Sequence, residues 1–156
     1  LRHLDDVTDR VVNSSRFVYT LALALKMSGL SPFDLLMGLG EFVGSNTYKM
    51  PLDKYTEKMY EYFSGFCDEK LLRDAMVCDR LCSDSSGVLP PFLRVYDGRL
   101  RNVKQQINSE FLKPSGVKRA YSLLISQNSA VFVDYTEPDI ITGRYKINRV
   151  KQIIEQ

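Results

Sequence analysis

Residues 68–94, DEKLLRDAMVCDRLCSDSSGVLPPFLR, decide how the rest of the chain is arranged. Asp68 fits a helix N-cap, and Glu69 puts a carboxylate in the first turn, where the positive end of the helix dipole favours it. Leu71, Ala75, Cys78 and Cys82 recur at helical spacing with Leu72 and Met76 beside them, which predicts an amphipathic helix in search of a core. The polar cluster at residues 83–87 ends it. Pro90-Pro91 then forces an extended exit, because proline drives the residue before it out of the helical region.

Upstream, Leu4, Val7, Val11 and Val12 predict a helix over residues 4–14, with Asp5, Asp6 and Asp9 on its other side and Asn13-Ser14-Ser15 as the break. Residues 16–27 are nearly all apolar. Their Phe17, Tyr19, Leu21, Leu23, Leu25 alternation also suits a strand, but the leucine and alanine content favours a helix. Ser31 as N-cap, Pro32 at the first helical position and Asp34 in the first turn start another helix, which ends near Gly44. After Pro51 comes the cleanest stripe in the chain: Leu52, Tyr55, Met59, Tyr62, Phe63 and Phe66, with Lys54, Glu57, Lys58 and Glu61 opposite.

Downstream, Val103, Ile107, Phe111 and Leu112 predict a last helix over residues 100–113, closed by Pro114 and Gly116. The period then changes. Residues 117–125, 130–135 and 144–150 are rich in β-branched and aromatic residues and are separated by turn signals, which predicts a three-stranded antiparallel meander, with a helix resuming at Val150. Helices first and strands afterwards give an α+β fold: a mainly helical bundle of about five to six helices over residues 1–113, then a small antiparallel sheet over residues 117–150.

The chain has 156 residues, 44% of them hydrophobic and 26% charged, which fits one globular domain over residues 1–156. A domain of that size hides about 70% of the surface its unfolded chain exposes. The longest apolar run, residues 17–25, falls short of the roughly 18 residues that read as a membrane helix. Residues 1–15 carry three aspartates and no apolar centre, unlike a signal peptide. Cys67, Cys78 and Cys82 cannot all pair with one another, and thiols on one helix face suit a reducing compartment, so the expected location is cytoplasmic. The start at Leu1 and the apolar pattern just begun at Val150, Ile153 and Ile154 lead us to expect an excised piece of a longer protein.

Residues that could carry chemistry are few. A C-x-x-x-C-x-x-C triad would hold three irons of a four-iron cluster, but after Cys78 and Cys82 the third place is Ser85. Cys67, Cys78 and Cys82 supply too few ligands for zinc, and the one histidine, His3, is far away in sequence. All three cysteines are expected to be small buried hydrophobes. A lone His3 supports no triad. Asp79, at the margin of the apolar stripe, is expected to bond to the turn at residues 83–87 or to pair with Arg73 or Arg80. Gly38, Gly40 and Gly44 lack the strand that precedes a phosphate loop and read as helix packing and a C-cap. No catalytic, cofactor-binding or metal residue is assigned.

A net charge of +2 says little about acidic partners. Locally, Arg94, Arg99, Arg101, Lys104, Lys113, Lys118 and Arg119 stand against Asp97 and Glu110. This basic segment, Arg94 to Arg119, is the basis of an alternative reading, a free-standing module for nucleic acid or an acidic protein. No aromatic platform is interleaved with the charges, and nucleic acid is the less expected partner. A further rival is a small enzyme working through Asp79 and nearby tyrosines.

Taken together, Asn13-Ser14 before Arg16-Phe17, Ser31-Pro32-Phe33-Asp34, the aromatic stripe through Phe66, and LLRDAMVCDRL followed by Pro90-Pro91-Phe92-Leu93 resemble a known module. It is the uncharacterised C-terminal domain that follows cobalamin-binding and radical S-adenosylmethionine modules in a bacterial family often labelled magnesium-protoporphyrin IX monomethyl ester cyclase-like. Leu71, Leu72, Asp79 and Leu81 resemble, at looser spacing, that family's Leu-Leu-x-x-Asp-x-Leu segment, and TGRY at residues 142–145 is similar to its terminal hairpin. The resemblance implies a parent enzyme with a 4Fe-4S cluster, S-adenosylmethionine and cobalamin, and upstream modules of the same chain as partners. The cysteine triad and the Asp-x-His-x-x-Gly segment of those modules have no counterpart here, so no catalytic or cofactor role passes to any residue of this chain.

Overall fold

The computed structural model describes residues 2–44 and 47–154, with the side chains of Arg2, His3 and Tyr48 left outside the description. The expectation for His3 therefore lies outside the described residues.

The predicted central helix forms as α5, Glu69–Ser83. Asp68 caps it: its carboxylate accepts the N–H groups of Lys70 and Leu71, both at 3.0 Å. From Leu72 to Cys82 every residue except Ala75 is buried, charged ones included. The expected single stripe is thus corrected. Leu71 lies outside it, 42% exposed, and α5 is enclosed on both sides. The helices α2, Val18–Ser28, and α4, Leu52–Phe63, lie against one side, and the strands β1, Arg119–Leu124, and β2, Ser129–Asp134, against the other.

Residues 18–28 are helical, which settles the helix-or-strand ambiguity; Gly29 at φ 68° ends α2 with its N–H on the Leu25 carbonyl. The first predicted helix divides in two: α1, Arg2–Val7, runs on into a wider π-helical turn, Thr8–Asn13. The third helix, α3, Pro32–Val43, starts as its sequence signal requires, with the Ser31 hydroxyl accepting the Asp34 N–H at 3.1 Å. It packs on α1 and α4. Tyr55, Met59 and Phe63 carry the buried face of α4, and Phe66, just past its end, sets its ring against Tyr62 and Phe63.

Gly38 of α3 lies against the hydroxyl of Tyr62, where a Cβ could not fit. Gly38→Ala therefore sets a gain in helix propensity of about 1 kcal/mol against an overpacking cost of ~1–3 kcal/mol. Denaturation midpoints are expected to show that Tyr62→Phe rescues Gly38→Ala, with a positive coupling of ~1 kcal/mol or more in the double-mutant cycle.

The sheet is antiparallel in the order β1-β2-β3, with β3 at Asn148–Val150. Ala120 pairs with Val133, Leu123 with Ala130, and Ala130 with Val150. The two-residue period sends Ala120, Leu124, Val131 and Val133 into the α5 core, and Leu123, Ala130, Phe132 and Val150 into a second core under α6, Arg99–Glu110. Both faces are covered, so β2 reads as a continuous apolar run, AVFV, rather than an alternation. The fold is α+β, as the sequence order of helices and strands implies.

Three boundaries differ from expectation. The third strand is shorter than residues 144–150, because the Tyr145 N–H turns away from the sheet to the Cys82 carbonyl of α5, at 2.8 Å. With the Tyr135 hydroxyl on the Leu81 carbonyl, also at 2.8 Å, it satisfies two of the acceptors that a helix C-terminus leaves open. The helix expected from Val150 does not form among residues 151–154. Val150 belongs to β3, Ile153 anchors the α6 core, and Gln106 holds the backbone of Gln152 and Ile154. Finally, α6 stops at Glu110 rather than residue 113. Phe111 turns extended, sets its ring against Phe132 with the centroids 5.0 Å apart and accepts at its carbonyl from Arg119. No single helix among the described residues is long and apolar enough to cross a membrane.

Candidate functional site

The chemistry-bearing side chains gather around α5, and Asp79 is the most enclosed of the charged ones, at 1% exposure. It does not bond to the 83–87 turn, to Arg73 or to Arg80, which corrects the expectation for it. One oxygen accepts the Tyr19 N–H at 3.0 Å and an Arg144 guanidinium N–H at 2.9 Å. The other accepts the N–H and the hydroxyl of Thr20, at 2.8 and 2.7 Å. Tyr19 and Thr20 stand in the first turn of α2, whose N-cap residue, Phe17, has no capping side chain. Asp79 therefore caps α2 from a different helix, with the dipole in the favourable sense. Arg144 also donates to the Ser15 carbonyl and lies over the Tyr19 ring, so one carboxylate joins α5, α2 and the β2–β3 connection. Burial pushes the Asp79 carboxyl up, while the bonds from Thr20 and Tyr19 and the Arg144 charge pull it down. Its oxygens carry four donors between them, a full set for architecture rather than an open position for a substrate.

Arg73 and Asp74 form a second centre on the sheet side. Arg73 donates to the Leu93 carbonyl at 3.0 Å, the Leu123 carbonyl at 2.6 Å, the Ser122 hydroxyl and Asp74. Asp74 accepts the N–H groups of Ile125 and Ser126 and the Ser126 hydroxyl, which pins the β1–β2 turn. Arg80 completes the set by pairing with Asp53 in the first turn of α4, at 2.6 Å.

The three cysteines line apolar core, Cys78 and Cys82 on α5 and Cys67 in the turn between α4 and α5. Burial is the main cause that pushes the thiols of Cys78 and Cys82 up, to about 12 and about 11, and that of Cys67 up as well. At about pH 8 iodoacetamide is expected to leave all three unmodified in the native protein and to label all three after denaturation, as read by mass spectrometry.

The basic segment is dispersed. Arg119 is buried in a two-pronged pair with Asp134, at 2.5 and 2.8 Å, beneath the Phe132 ring and bonded to Asn108 and Phe111. Arg94 bonds to Leu89, Arg99 to Asp97, and Lys118 to Ser86, while Lys104 sits over the Tyr121 ring. Arg101 and Lys113 stand in solvent.

The surface of the described residues carries several concavities. An open groove of about 910 Å³ runs between α6 and residues 149–154, and its charged lining side chains are exposed. A smaller cleft of about 220 Å³ lies between α2, α5 and the sheet, with Tyr19, Leu23, Ala75, Cys78, Leu124 and Arg149 on its walls.

The sequence singled out Asp79 but not its partners; it offered Arg73 only as a partner for Asp79, and it passed over Asp74 and Arg144 as members of buried networks. The available signal was that charges at positions 73, 74, 79 and 80 point around a helix that is otherwise apolar.

No curated protein and no solved structure matches the chain. A family model described as "Protein of unknown function (DUF4080)" matches residues 1–152, nearly the whole chain. On that match the chain belongs to the DUF4080 family.

Proposed function

We propose that this chain is a non-catalytic accessory domain at the C-terminal end of a cobalamin-binding radical S-adenosylmethionine enzyme, packed beside the catalytic barrel and shaping substrate access. One observation carries the reading: among the described residues, each of the five buried charged side chains, Arg73, Asp74, Asp79, Arg80 and Arg119, is engaged by partners inside the fold. Groups held this way position helices and turns; they do not move protons for a substrate. The likeness of the helical and proline-exit motifs to the C-terminal module supplies the parent, and its location is cytoplasmic. On this reading the cluster and cobalamin belong to the upstream modules, whose cysteine triad and Asp-x-His-x-x-Gly segment have no counterpart in this chain.

A surface for those modules is at hand. Ile140 and Ile141 are 101% and 93% exposed, in a loop braced by Asp139, which accepts from Ile141 and Thr142, and tied to Asp79 through Arg144. Presenting two large apolar side chains on a fixed loop suits burial against a neighbour. The test compares the chain alone with the chain joined to its upstream modules by amide hydrogen exchange. We expect residues 136–144 to gain protection in the joined protein, and the chain alone to stay colourless after incubation with iron, sulfide and cobalamin. Unchanged exchange across the whole surface, or a coloured isolated chain, would overturn the proposal.

A further inference from the structure

We propose that the cleft between α2, α5 and β3 binds a small free monocarboxylate, its carboxylate on the Arg149 guanidinium and its short alkyl chain over Leu23, Ala75, Cys78 and Leu124. The argument starts from strand geometry. Arg149 pairs with Val131, and Val131 belongs to the α5 core, so the pleat sends the Arg149 side chain to the α5 side of the edge strand. There Arg149, an exposed residue that also borders the open groove beside α6, lines the cleft and lies near enough to Cys78 to act on the thiol's charge.

The cation has no fixed counter-charge: the Arg149 side chain makes no hydrogen bond or ion pair with any described residue, in contrast to those of Arg73, Arg80, Arg119 and Arg144. Asp74, the acid on the cleft wall, is already occupied by Arg73, Ile125 and Ser126. A planar guanidinium with open N–H groups at the mouth of an apolar recess matches a carboxylate, which it can hold through two parallel bonds. One unpaired cation beside the Asp74 charge favours a monoanion over a phosphate dianion. Tyr19 and Gln127 line the same cleft and carry donor groups for a second oxygen.

Size narrows the class further. At about 220 Å³ the cleft is below the range of about 300–1,000 Å³ that takes drug-sized ligands, so the fitting chain is short, about five to seven carbons. Its floor is apolar and closed, with Cys78 and Leu124 at 7% and 2% exposure. This inference does not depend on the identity of the parent enzyme.

The test is a titration of the 156-residue chain, labelled at its methyl groups, with hexanoate, hexylamine and hexanol in parallel. Hexanoate is expected to shift the Leu23, Leu124 and Ile147 signals and to bind ~10-fold or more tightly than either analogue, the scale of a charge-assisted hydrogen bond. Arg149→Met keeps the apolar stem and is expected to bring hexanoate down to the level of hexanol. Ala75→Leu, on the half-exposed rim of α5, fills the cleft and should abolish the shifts without touching the cation. Equal binding of hexylamine, shifts confined to other methyls, no shift at all, or full binding by either variant would overturn the assignment. The analogue comparison on the native chain decides the matter even if a variant misfolds.

Discussion

Replacing Asp79 by alanine is expected to destabilise the fold by about 3–5 kcal/mol, the usual result of removing one partner from a buried ion pair. Two causes add. The Arg144 guanidinium, with its side chain 12% exposed, loses the charge it faces, and the first-turn N–H groups of Tyr19 and Thr20 lose their acceptors inside the protein. Asp79→Asn should recover little, since its amide nitrogen presents donors to a ring of donors. Arg144→Ala is expected to cost less, ~1–3 kcal/mol, because Asp79 keeps three of its four hydrogen bonds. The checks are urea midpoints for the three variants. If Asp79→Ala lost less than about 1 kcal/mol, the carboxylate would not be a structural centre.

The second large effect is expected at Arg73. Its guanidinium joins α5 to the carbonyl of Leu93 after the double proline and to the carbonyl of Leu123 in β1, two segments far apart in sequence. Arg73→Ala strips partners from both carbonyls and from Asp74 at once and removes a buried side chain, so a loss of about 3–5 kcal/mol follows. Arg73→Met fills the space and separates the two causes: what it restores is packing, and what it fails to restore is polar. We expect Met to recover less than half. Faster amide exchange in β1 and β2 than in α3 would locate the damage at the sheet side of α5.

Most of the fold was legible because its signals are local. Ser31-Pro32 and Asp68 start helices by bonds within three residues, and the AVFV run of β2 announces a strand covered on both faces. The failures have one physical source: contacts, polar or apolar, between groups distant in the chain. Residues 144–147 read as strand, yet the open carbonyl of Cys82 draws Tyr145 out of the sheet. Asp79 read as a marginal side chain, because nothing near it in sequence reveals that α2 lacks a cap and that Arg144, 65 residues away, closes the site. Val150 and Ile153 read as the start of a helix because the β3 edge and the α6 core happen to space their inward residues by three. The basic run at residues 94–119 read as one array, although its most enclosed member, Arg119, is turned inward by Asp134, a residue of the next strand.

The central claim is that Asp79 and its donors are architecture, holding α2 to α5, and native-state hydrogen exchange at Tyr19 and Thr20 tests it most directly. First-turn amides have no acceptor within their own helix and ordinarily exchange fast. Here both are expected to exchange only through global unfolding, at the free energy of the slowest α5 amides, because a buried carboxylate holds them. Exchange at the rate of exposed first-turn amides, with α5 still protected, would contradict the account.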